Sequence, residues 1–265
     1  MSLTYCIVSG GKVYPEELEQ VRQLQNVIWI AADSGAEALL EQNLFPDILV
    51  GDLDSISPLS LSKIEKARKT EIFRFPAEKD FSDTYLALKA ITILCHFGFS
   101  GLQQEWKKYY QPLEISSSPM KQIFCPLQME VKSAAAFQEH SEKPNVEILG
   151  AIGSRIDHSL SNLWIAFEFI RELNLTYRGR DNIIVPMQGE SLLSFQYNSQ
   201  FPFLSILPFS ESLVELSLDG FLYSLEKATI SQEKASLLLS NEVVRDGATI
   251  SLKKGRCLII RSKDR

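Results

Sequence analysis

The stretch Asp47-Ile48-Leu49-Val50-Gly51-Asp52-Leu53-Asp54-Ser55 decides the fold of this chain. Its apolar run is typical of a buried strand in an open α/β sheet, and it ends at a glycine followed by two carboxylates one residue apart. Such sheets bind ligands at the carboxyl ends of their strands. Neighbouring carboxylates in a crevice repel each other unless a cation offsets their charge, so Asp52 and Asp54 are candidate metal ligands. For an isolated Asp-x-Asp-Ser sequence, the alternative is an acidic turn that caps the next helix.

Acidic side chains also follow three other strand-like runs in this part of the chain. The runs are 27–32, 71–76 and 146–152, and the charged residues after them are Asp33, then Lys79, Asp80 and Asp83, then Arg155 and Asp157. If the four strands are parallel neighbours, all four acidic groups meet at one edge of the sheet. Carboxylates interleaved with cations at such an edge predict a site for a polyphosphate and a metal ion.

Strand and helix signals alternate through residues 1–178, which predicts an α/β N-terminal domain with a mainly parallel sheet. Helices are expected near Pro15, after Ser34, around 61–67, from Asp83, and over 158–173. Gly10-Gly11-Lys12 lacks the spacing of a phosphate-binding P-loop. A glycine-rich turn between a strand and a helix can still bring backbone amides close to a phosphate.

The alternation is interrupted at about 97–144, where glycine, proline and serine are mixed with aromatic residues, so this segment is predicted to be a small packed insertion. From 179 to 265 the pattern changes to short apolar runs separated by turn residues, which predicts an all-β, sandwich-like C-terminal domain. The expected strands include 183–185, 192–195, 203–207, 214–218, 235–239 and 258–260.

Composition limits the function classes. A net charge of -6 argues against nonspecific nucleic-acid binding, which requires clustered cations. No continuous apolar run reaches about 20 residues, and no secretory signal is evident at the N-terminus, so the expectation is a cytoplasmic protein with no membrane partner. The four cysteines show no paired spacing and are expected to be free thiols: Cys6, Cys95, Cys125 and Cys257.

The order of the motifs resembles that of the thiamine pyrophosphokinase family along nearly the whole chain outside the insertion. The motifs are Asp33-Ser34-Gly35-Ala36, Phe45-Pro46-Asp47, Gly51-Asp52-Leu53-Asp54-Ser55, Lys79-Asp80-Phe81-Ser82-Asp83, Gly150-Ala151-Ile152-Gly153-Ser154-Arg155-Ile156-Asp157-His158 and Ser240-Asn241-Glu242. The resemblance implies an α/β domain joined to a β-sandwich domain, a homodimer, and Mg²⁺-dependent transfer of pyrophosphate from ATP to the hydroxyl of thiamine, with release of AMP.

The resemblance also implies a role for each matching residue. Asp52, Asp54, Asp80 and Asp83 would be catalytic, and the first three of them would hold the metal. ATP would be bound by Asp33, Lys79, Ser82, Arg155, Asp157 and His158, and thiamine by Tyr223, Ser240 and Asn241. The chain departs from the family at Ser82, where Thr is more common, and at Leu222 and Ser224, where the family has Lys and Pro. His158 is either a general base, or a helix cap or packing residue.

Two other functions remain open from the sequence. An Asp-x-Asp motif after an apolar strand also fits phosphatases that form an aspartyl phosphate, although that motif normally follows the first strand. A thiamine or nucleotide sensor without turnover would keep the same pocket.

Overall fold

The computed structural model describes residues 3–78, 81–106 and 143–264. The chain divides into two compact units. Unit 1 contains residues 1–162 and 172–174, and unit 2 contains residues 163–171 and 175–265.

Unit 1 is built on a parallel sheet with the strand order β5-β1-β2-β3-β4. The strands are β1 (Thr4–Val8), β2 (Val27–Ala32), β3 (Ile48–Gly51), β4 (Glu71–Arg74) and β5 (Asn145–Leu149). Every residue of β1 and β3 is buried, as expected for strands covered on both faces. The predicted parallel α/β fold is therefore confirmed, and β2, β3, β4 and β5 direct their carboxyl ends to one edge.

Helices connect these strands, close to the positions that the sequence predicts. They are α1 (Pro15–Arg22), α2 (Gly35–Glu41), α3 (Pro58–Ala67), α4 (Asp83–Trp106) and α5 (Ile156–Phe169). α3 begins with Pro58 after Ser57, whose hydroxyl accepts a hydrogen bond from the Ser60 amide at 3.2 Å. Ser34 precedes α2, but its side chain makes no capping hydrogen bond.

α4 extends into the segment that the sequence assigned to an insertion. The helix bends at Gly98, where φ is +66°, and continues to Trp106. The Trp106 ring is buried edge-on against Phe73 and Phe75, with ring centroids 4.9 and 5.0 Å apart. Aromatic burial of this kind stabilises the end of the helix. The rest of the predicted insertion, 107–142, lies outside the described residues.

α4 is also long and apolar enough to cross a membrane, although the sequence contains no continuous apolar run of that length. More than half of its most apolar window is buried inside the protein, and the helix packs against β1, β2 and β3. Core helices pass the same length and composition test, so this helix is weak support for a membrane span.

Unit 2 contains two antiparallel sheets whose inner faces share one core, which confirms the predicted sandwich-like β fold. The first has the order β12-β9-β14-β7-β6 and the second the order β11-β10-β13-β8. The strands are β6 (Asn174–Arg178), β7 (Asn182–Gln188), β8 (Ser191–Phe195), β9 (Phe203–Pro208), β10 (Ser212–Asp219), β11 (Leu225–Ser231), β12 (Asn241–Glu242), β13 (Ala248–Leu252) and β14 (Arg256–Ser262).

One predicted strand is wrong. Residues 235–239 overlap a 3₁₀ segment, Gln232–Leu238, instead of forming a strand. Leu238 is buried there, and Leu237 and Leu239 are exposed. Four strands of this unit were not expected from the sequence: β6, β11, β12 and β13.

The compact units divide the chain within α5, between residues 162 and 163, whereas the sequence placed the boundary at 178/179. The second half of α5 packs with unit 2, because Trp164 and Phe167 each contact Phe209 with ring centroids 5.4 Å apart. A helical pattern alone does not show which unit the helix packs against.

Candidate active site

Three carboxylates meet at the carboxyl edge of the unit 1 sheet. Asp33 follows β2, and Asp52 and Asp54 follow β3; one oxygen of each lies within 4.8 Å of the others. Ligands on opposite sides of a Mg²⁺ ion are about 4.2 Å apart, because each Mg–O distance is about 2.1 Å. Neighbouring ligands of an octahedral ion are about 3.0 Å apart, so side-chain rotations that draw the three oxygens inward would allow them to share one ion. The donor set fits a hard divalent cation such as Mg²⁺.

The backbone of the Asp52-Leu53-Asp54 turn explains how both carboxylates reach the edge. Leu53 adopts a left-handed conformation with φ +63°, and its side chain is buried in the unit 1 core. A leucine in this conformation is strained, so burial of its side chain has to offset the cost. Leu53 thus anchors the turn, while Asp54 on its far side stays exposed.

Gly51 brings the neighbouring acids close together. Its φ is +146°, and a Cβ atom there would lie 3.0 Å from Asp33 Cβ and 3.3 Å from Asp83 Oδ1. A larger residue would push against both, so the glycine permits the close approach. Asp83, the first residue of α4, therefore lies beside the cluster, whereas Lys79 and Asp80 fall outside the described residues.

Asp33 is the buried member of the cluster, and its carboxyl has a raised pKa. Burial raises the pKa of its carboxyl, the charges of Asp52 and Asp54 raise it further, and polar interactions with the nearby Ser55 hydroxyl and Ser34 amide oppose the rise. Its Oδ1 atom is buried and has no hydrogen-bond partner in the part of the chain that the structure describes. A buried, unpartnered carboxylate oxygen beside two more carboxylates is what a cation site requires.

Hydroxyl groups complete this edge of the sheet. Ser55 Oγ donates to Asp54 Oδ1 at 2.8 Å, and Ser82 Oγ accepts from the Tyr85 amide at 3.2 Å, which makes Ser82 a cap of α4. Ser9, after β1, hydrogen-bonds Thr84 at 3.0 Å in the interior. This buried contact holds the start of α4 against β1, and sequence reasoning missed it because the partners are 75 residues apart.

A second group of predicted residues follows β5. The strand order reverses at β1, which has β2 on one side and β5 on the other. At this switch point the Gly11 amide donates to the Gly150 carbonyl at 3.0 Å, and a Cβ on Gly11 would lie only 2.2 Å from that oxygen. The two loops therefore run close together. Ligands of open α/β sheets bind in the crevice at such a point.

Arg155 and Asp157 lie exposed beside this crevice and form an ion pair, with Arg155 Nη2 2.6 Å from Asp157 Oδ2. The hydrogen bond from Arg155 is the main cause that lowers the pKa of Asp157 to about 2. His158 Nε2 lies 4.0 Å from the same carboxylate oxygen. His158 belongs to the first turn of α5, which begins at Ile156, two residues before the predicted start of the helix.

The residues predicted to bind thiamine lie together in unit 2. Asn241 is buried, and its Oδ1 accepts hydrogen bonds from the amides of Tyr223 and Glu242 at 3.0 and 2.9 Å. Its Nδ2 donates to the Tyr223 carbonyl at 2.8 Å. The side chains of Tyr223 and Ser240 are exposed. Asn241 therefore holds the Tyr223 loop in place, and the exposed groups of the cluster are Tyr223 and Ser240.

Asp33→Asn should stabilise the metal-free protein at pH 7. Folding favours the protonated Asp33 carboxyl because its pKa is raised, and this contribution is lost as pH rises through the folded pKa. A neutral amide also removes repulsion on the order of 1 kcal/mol, so we expect the Tm to rise by about 2–4 °C.

Thermal unfolding of Asp33→Asn and the wild type without metal, from pH 3 to 8, measures the difference in Tm, which should vanish in acid. Added Mg²⁺ should raise the Tm of the wild type only; a lower Tm for Asp33→Asn at pH 7 would contradict the prediction.

Comparisons with known proteins match both units. The family model described as the thiamin pyrophosphokinase catalytic domain matches residues 22–96, and the model described as the vitamin B1 binding domain of thiamin pyrophosphokinase matches residues 191–257. Thiamine pyrophosphokinase of Bacillus subtilis (strain 168) is 27% identical over 243 residues, which cover 91% of this chain and 89% of that protein.

Solved structures of thiamine pyrophosphokinases are similar to this chain over nearly its whole length. The crystal structure of thiamine pyrophosphokinase from Bacillus subtilis covers 99% of this chain and 100% of its own, with a TM-score of 0.71 and 25% identity. Yeast thiamin pyrophosphokinase covers 99% of this chain and 87% of its own, with a TM-score of 0.72; at 16% identity it supports the fold alone.

A parallel α/β unit with an acidic cluster at its carboxyl edge, followed by an antiparallel β unit, defines a two-part protein with a candidate cation site in its first part. The family models match each of these parts separately and in the same order. The chain belongs to the thiamine pyrophosphokinase family.

Proposed function

We propose that this protein transfers the pyrophosphoryl group of ATP to the hydroxyl of thiamine, giving thiamine diphosphate and AMP. The observation that carries the proposal is the cluster of Asp33, Asp52 and Asp54, which lies inside the segment matched by the family's catalytic domain. The match of residues 191–257 to the vitamin B1 binding domain supports thiamine as the acceptor.

The acidic cluster is the proposed Mg²⁺ site of this reaction. Asp33, Asp52 and Asp54 would hold the ion, with Asp80 as the further ligand proposed from the sequence. When bound, Mg²⁺ offsets the negative charge of the triphosphate and of the leaving AMP. Asp83 beside the cluster is positioned to accept a proton from the attacking hydroxyl or to orient a ligand of the ion.

The crevice between the loops after β1 and β5 is the proposed place for the nucleotide. Arg155 would turn from Asp157 to grip a phosphate with two hydrogen bonds, and Lys79 would add a second positive charge. Ser82, Asp157 and His158 are proposed to border the nucleotide. The reaction needs little covalent participation by the protein, because alignment and charge neutralisation supply most of the catalysis.

The thiamine end of the site is proposed to involve Tyr223 and Ser240, with Asn241 holding the loop that presents Tyr223. We infer functional domains at 1–178 for ATP and Mg²⁺ and at 179–265 for thiamine. We further propose that the protein is a cytoplasmic homodimer that acts without a nucleic-acid or membrane partner. Its family membership and its net charge of -6 support this assignment.

Neither alternative function gains support from the structure. A phosphatase that forms an aspartyl phosphate would use Asp52 as its nucleophile, but the match to a vitamin B1 binding domain provides a second-substrate site that such an enzyme does not need. A sensor without turnover would keep the same pocket, including the close approach of Asp33, Asp52 and Asp54, so product formation decides between the sensor and the enzyme.

Product analysis tests the proposed function. Purified protein incubated with ATP, Mg²⁺ and thiamine should form thiamine diphosphate and AMP in equal amounts, and omission of either thiamine or Mg²⁺ should stop AMP formation. Chromatography that separates AMP from ADP and thiamine monophosphate from the diphosphate gives the answer. ADP with thiamine monophosphate, phosphate release without thiamine, or thiamine binding without any product would each refute the assignment.

A further inference from the structure

Glu37 adds a side-chain contact between the two segments that carry the acidic cluster, beside the pairing of β2 with β3 and the hydrogen bond from the Asp33 amide to the Val50 carbonyl at 2.8 Å. Glu37 lies in the first turn of α2, and its carboxylate accepts a hydrogen bond from the Ser57 amide at 2.7 Å. The other oxygen accepts from the Ser60 hydroxyl at 2.5 Å. Both donors belong to the start of α3, so one carboxylate occupies the N-terminus of the next helix.

The contacts of Glu37 connect the two helices that follow the acids of the cluster. α2 begins two residues after Asp33, and α3 begins four residues after Asp54. Glu37 therefore joins the helix that follows the first acid to the helix that follows the other two. Leu53 and Ile56, which flank Asp54 and Ser55, are buried. The exposed turn formed by Asp54 and Ser55 is therefore anchored on both sides, and its position depends on how these two sides are held.

We propose that Glu37 is a positioning residue that sets the distance between Asp33 and the Asp52/Asp54 pair, and thereby the affinity of the cluster for Mg²⁺. Glu37 itself does not touch the cation. This inference rests on the proposed function of the cluster as a Mg²⁺ site. Nothing in the sequence motifs identifies Glu37, because its partners are 20 and 23 residues away.

The negative charge of Glu37 is part of the contact. Burial alone would raise its pKa, but the hydrogen bonds from Ser60 and Ser57 outweigh that effect, so the pKa is lowered and the carboxylate is ionised at neutral pH. An ionised acceptor also interacts favourably with the partial positive charge at the N-terminus of α3. Glutamine can accept with only one atom, and its amide group would face one of the two donors.

Measurements of metal affinity distinguish two roles of Glu37: positioning the acids of the cluster, or only stabilising α3. We compare the wild type with Glu37→Ala and Glu37→Gln, and use Glu41→Ala as the matched control in the same helix. Glu41 is exposed at the end of α2 and makes no hydrogen bond or ion pair within the described part of the chain. Isothermal titration with Mg²⁺, and with Mn²⁺ as a stronger-binding probe, measures affinity without any turnover.

We expect Glu37→Ala to weaken Mg²⁺ and Mn²⁺ binding about tenfold, the lower end of the effect of losing a group that orients metal ligands. Glu37→Gln should weaken the binding of both ions by less than tenfold, and Glu41→Ala should bind them like the wild type. In turnover assays the Mg²⁺ concentration for half-maximal rate should rise in parallel, while the rate at saturating Mg²⁺ recovers most of its value.

Ser60→Ala provides a second, milder variant that keeps the inference testable if Glu37→Ala fails to fold. It removes one of the two donors, so it should weaken metal binding less than Glu37→Ala does. The double variant Glu37→Gln/Ser60→Ala should lose less metal-binding free energy than the sum of the losses in the two single variants, because both changes break the same contact.

The result that would overturn the inference is a lower Tm in the Glu37 variants with wild-type Mg²⁺ and Mn²⁺ affinity; Glu37 would then only cap α3. Weakened binding in Glu41→Ala to the same extent would overturn it equally. If the wild type itself bound neither ion and formed no thiamine diphosphate, the proposed function would fail, whereas wild-type activity with unaffected variants would reject only the role of Glu37.

Discussion

Asp54→Asn is expected to lower the turnover of thiamine diphosphate formation by about a hundredfold, the effect of losing roughly 3 kcal/mol of transition-state stabilisation. Asparagine keeps the shape of the side chain but removes the charge that would hold Mg²⁺. The fold should survive, because Asp54 is exposed and its described hydrogen bond comes from the neighbouring Ser55 hydroxyl, which an amide oxygen can also accept.

The measurement is the initial rate of AMP formation at several Mg²⁺ concentrations, with Tm and circular dichroism as tests of folding. Asp219→Asn serves as a control, because Asp219 is an exposed aspartate of unit 2, outside the acidic cluster. It should retain the wild-type rate. A well-folded Asp54→Asn protein with near-normal turnover at limiting Mg²⁺ would show that Asp52-Leu53-Asp54 is a structural turn.

Mixed dimers should recover activity from two inactive variants if each site combines the acidic cluster of one subunit with the Ser240-Asn241 segment of the other. The proposed homodimer motivates this expectation, because a two-fold axis produces two identical composite sites. Asp54→Asn disables the cation site, and Asn241→Ala releases the Tyr223 loop that the Asn241 side chain holds. Each variant alone is expected to be nearly inactive.

After subunit exchange at equal concentrations, half of the dimers should be mixed, and one of the two sites in each mixed dimer is intact. The expected recovery is about a quarter of the wild-type rate. Differently tagged subunits and tandem purification show whether mixed dimers have formed, and a mixture of Asp54→Asn with itself is the control. Mixed dimers that form but stay inactive would mean that each site is completed within one chain.

The sequence by itself determined the fold class and the location of the acidic cluster. Continuous apolar runs such as Ile48–Gly51 require a strand buried on both faces, and a parallel sheet places the ends of successive strands at one edge. Asp33, Asp52 and Asp54 could therefore be predicted to meet without any knowledge of their distances. Local patterns are sufficient here, because strand direction alone decides which edge the following residue reaches.

Sequence patterns were less informative where packing between distant segments decides the structure. The apolar residues 235–239 have strand composition, yet the chain forms a 3₁₀ segment there. Trp106 lies in the segment predicted to be a packed insertion, and only the structure shows that its ring packs against Phe73 and Phe75. A residue's neighbours in sequence do not show which surface covers it.

The tertiary structure alone decided how the predicted residues are used. It brings Asp83 beside the cluster through Gly51, leaves Arg155 and Asp157 paired with each other, and commits the Asn241 side chain to the Tyr223 loop. It also reveals Glu37, whose carboxylate reaches across 20 residues of sequence to the start of the next helix. Such contacts depend on the distances and directions of side chains after packing. Periodicity and motif order carry no information about either, so these roles could be assigned only from the folded chain.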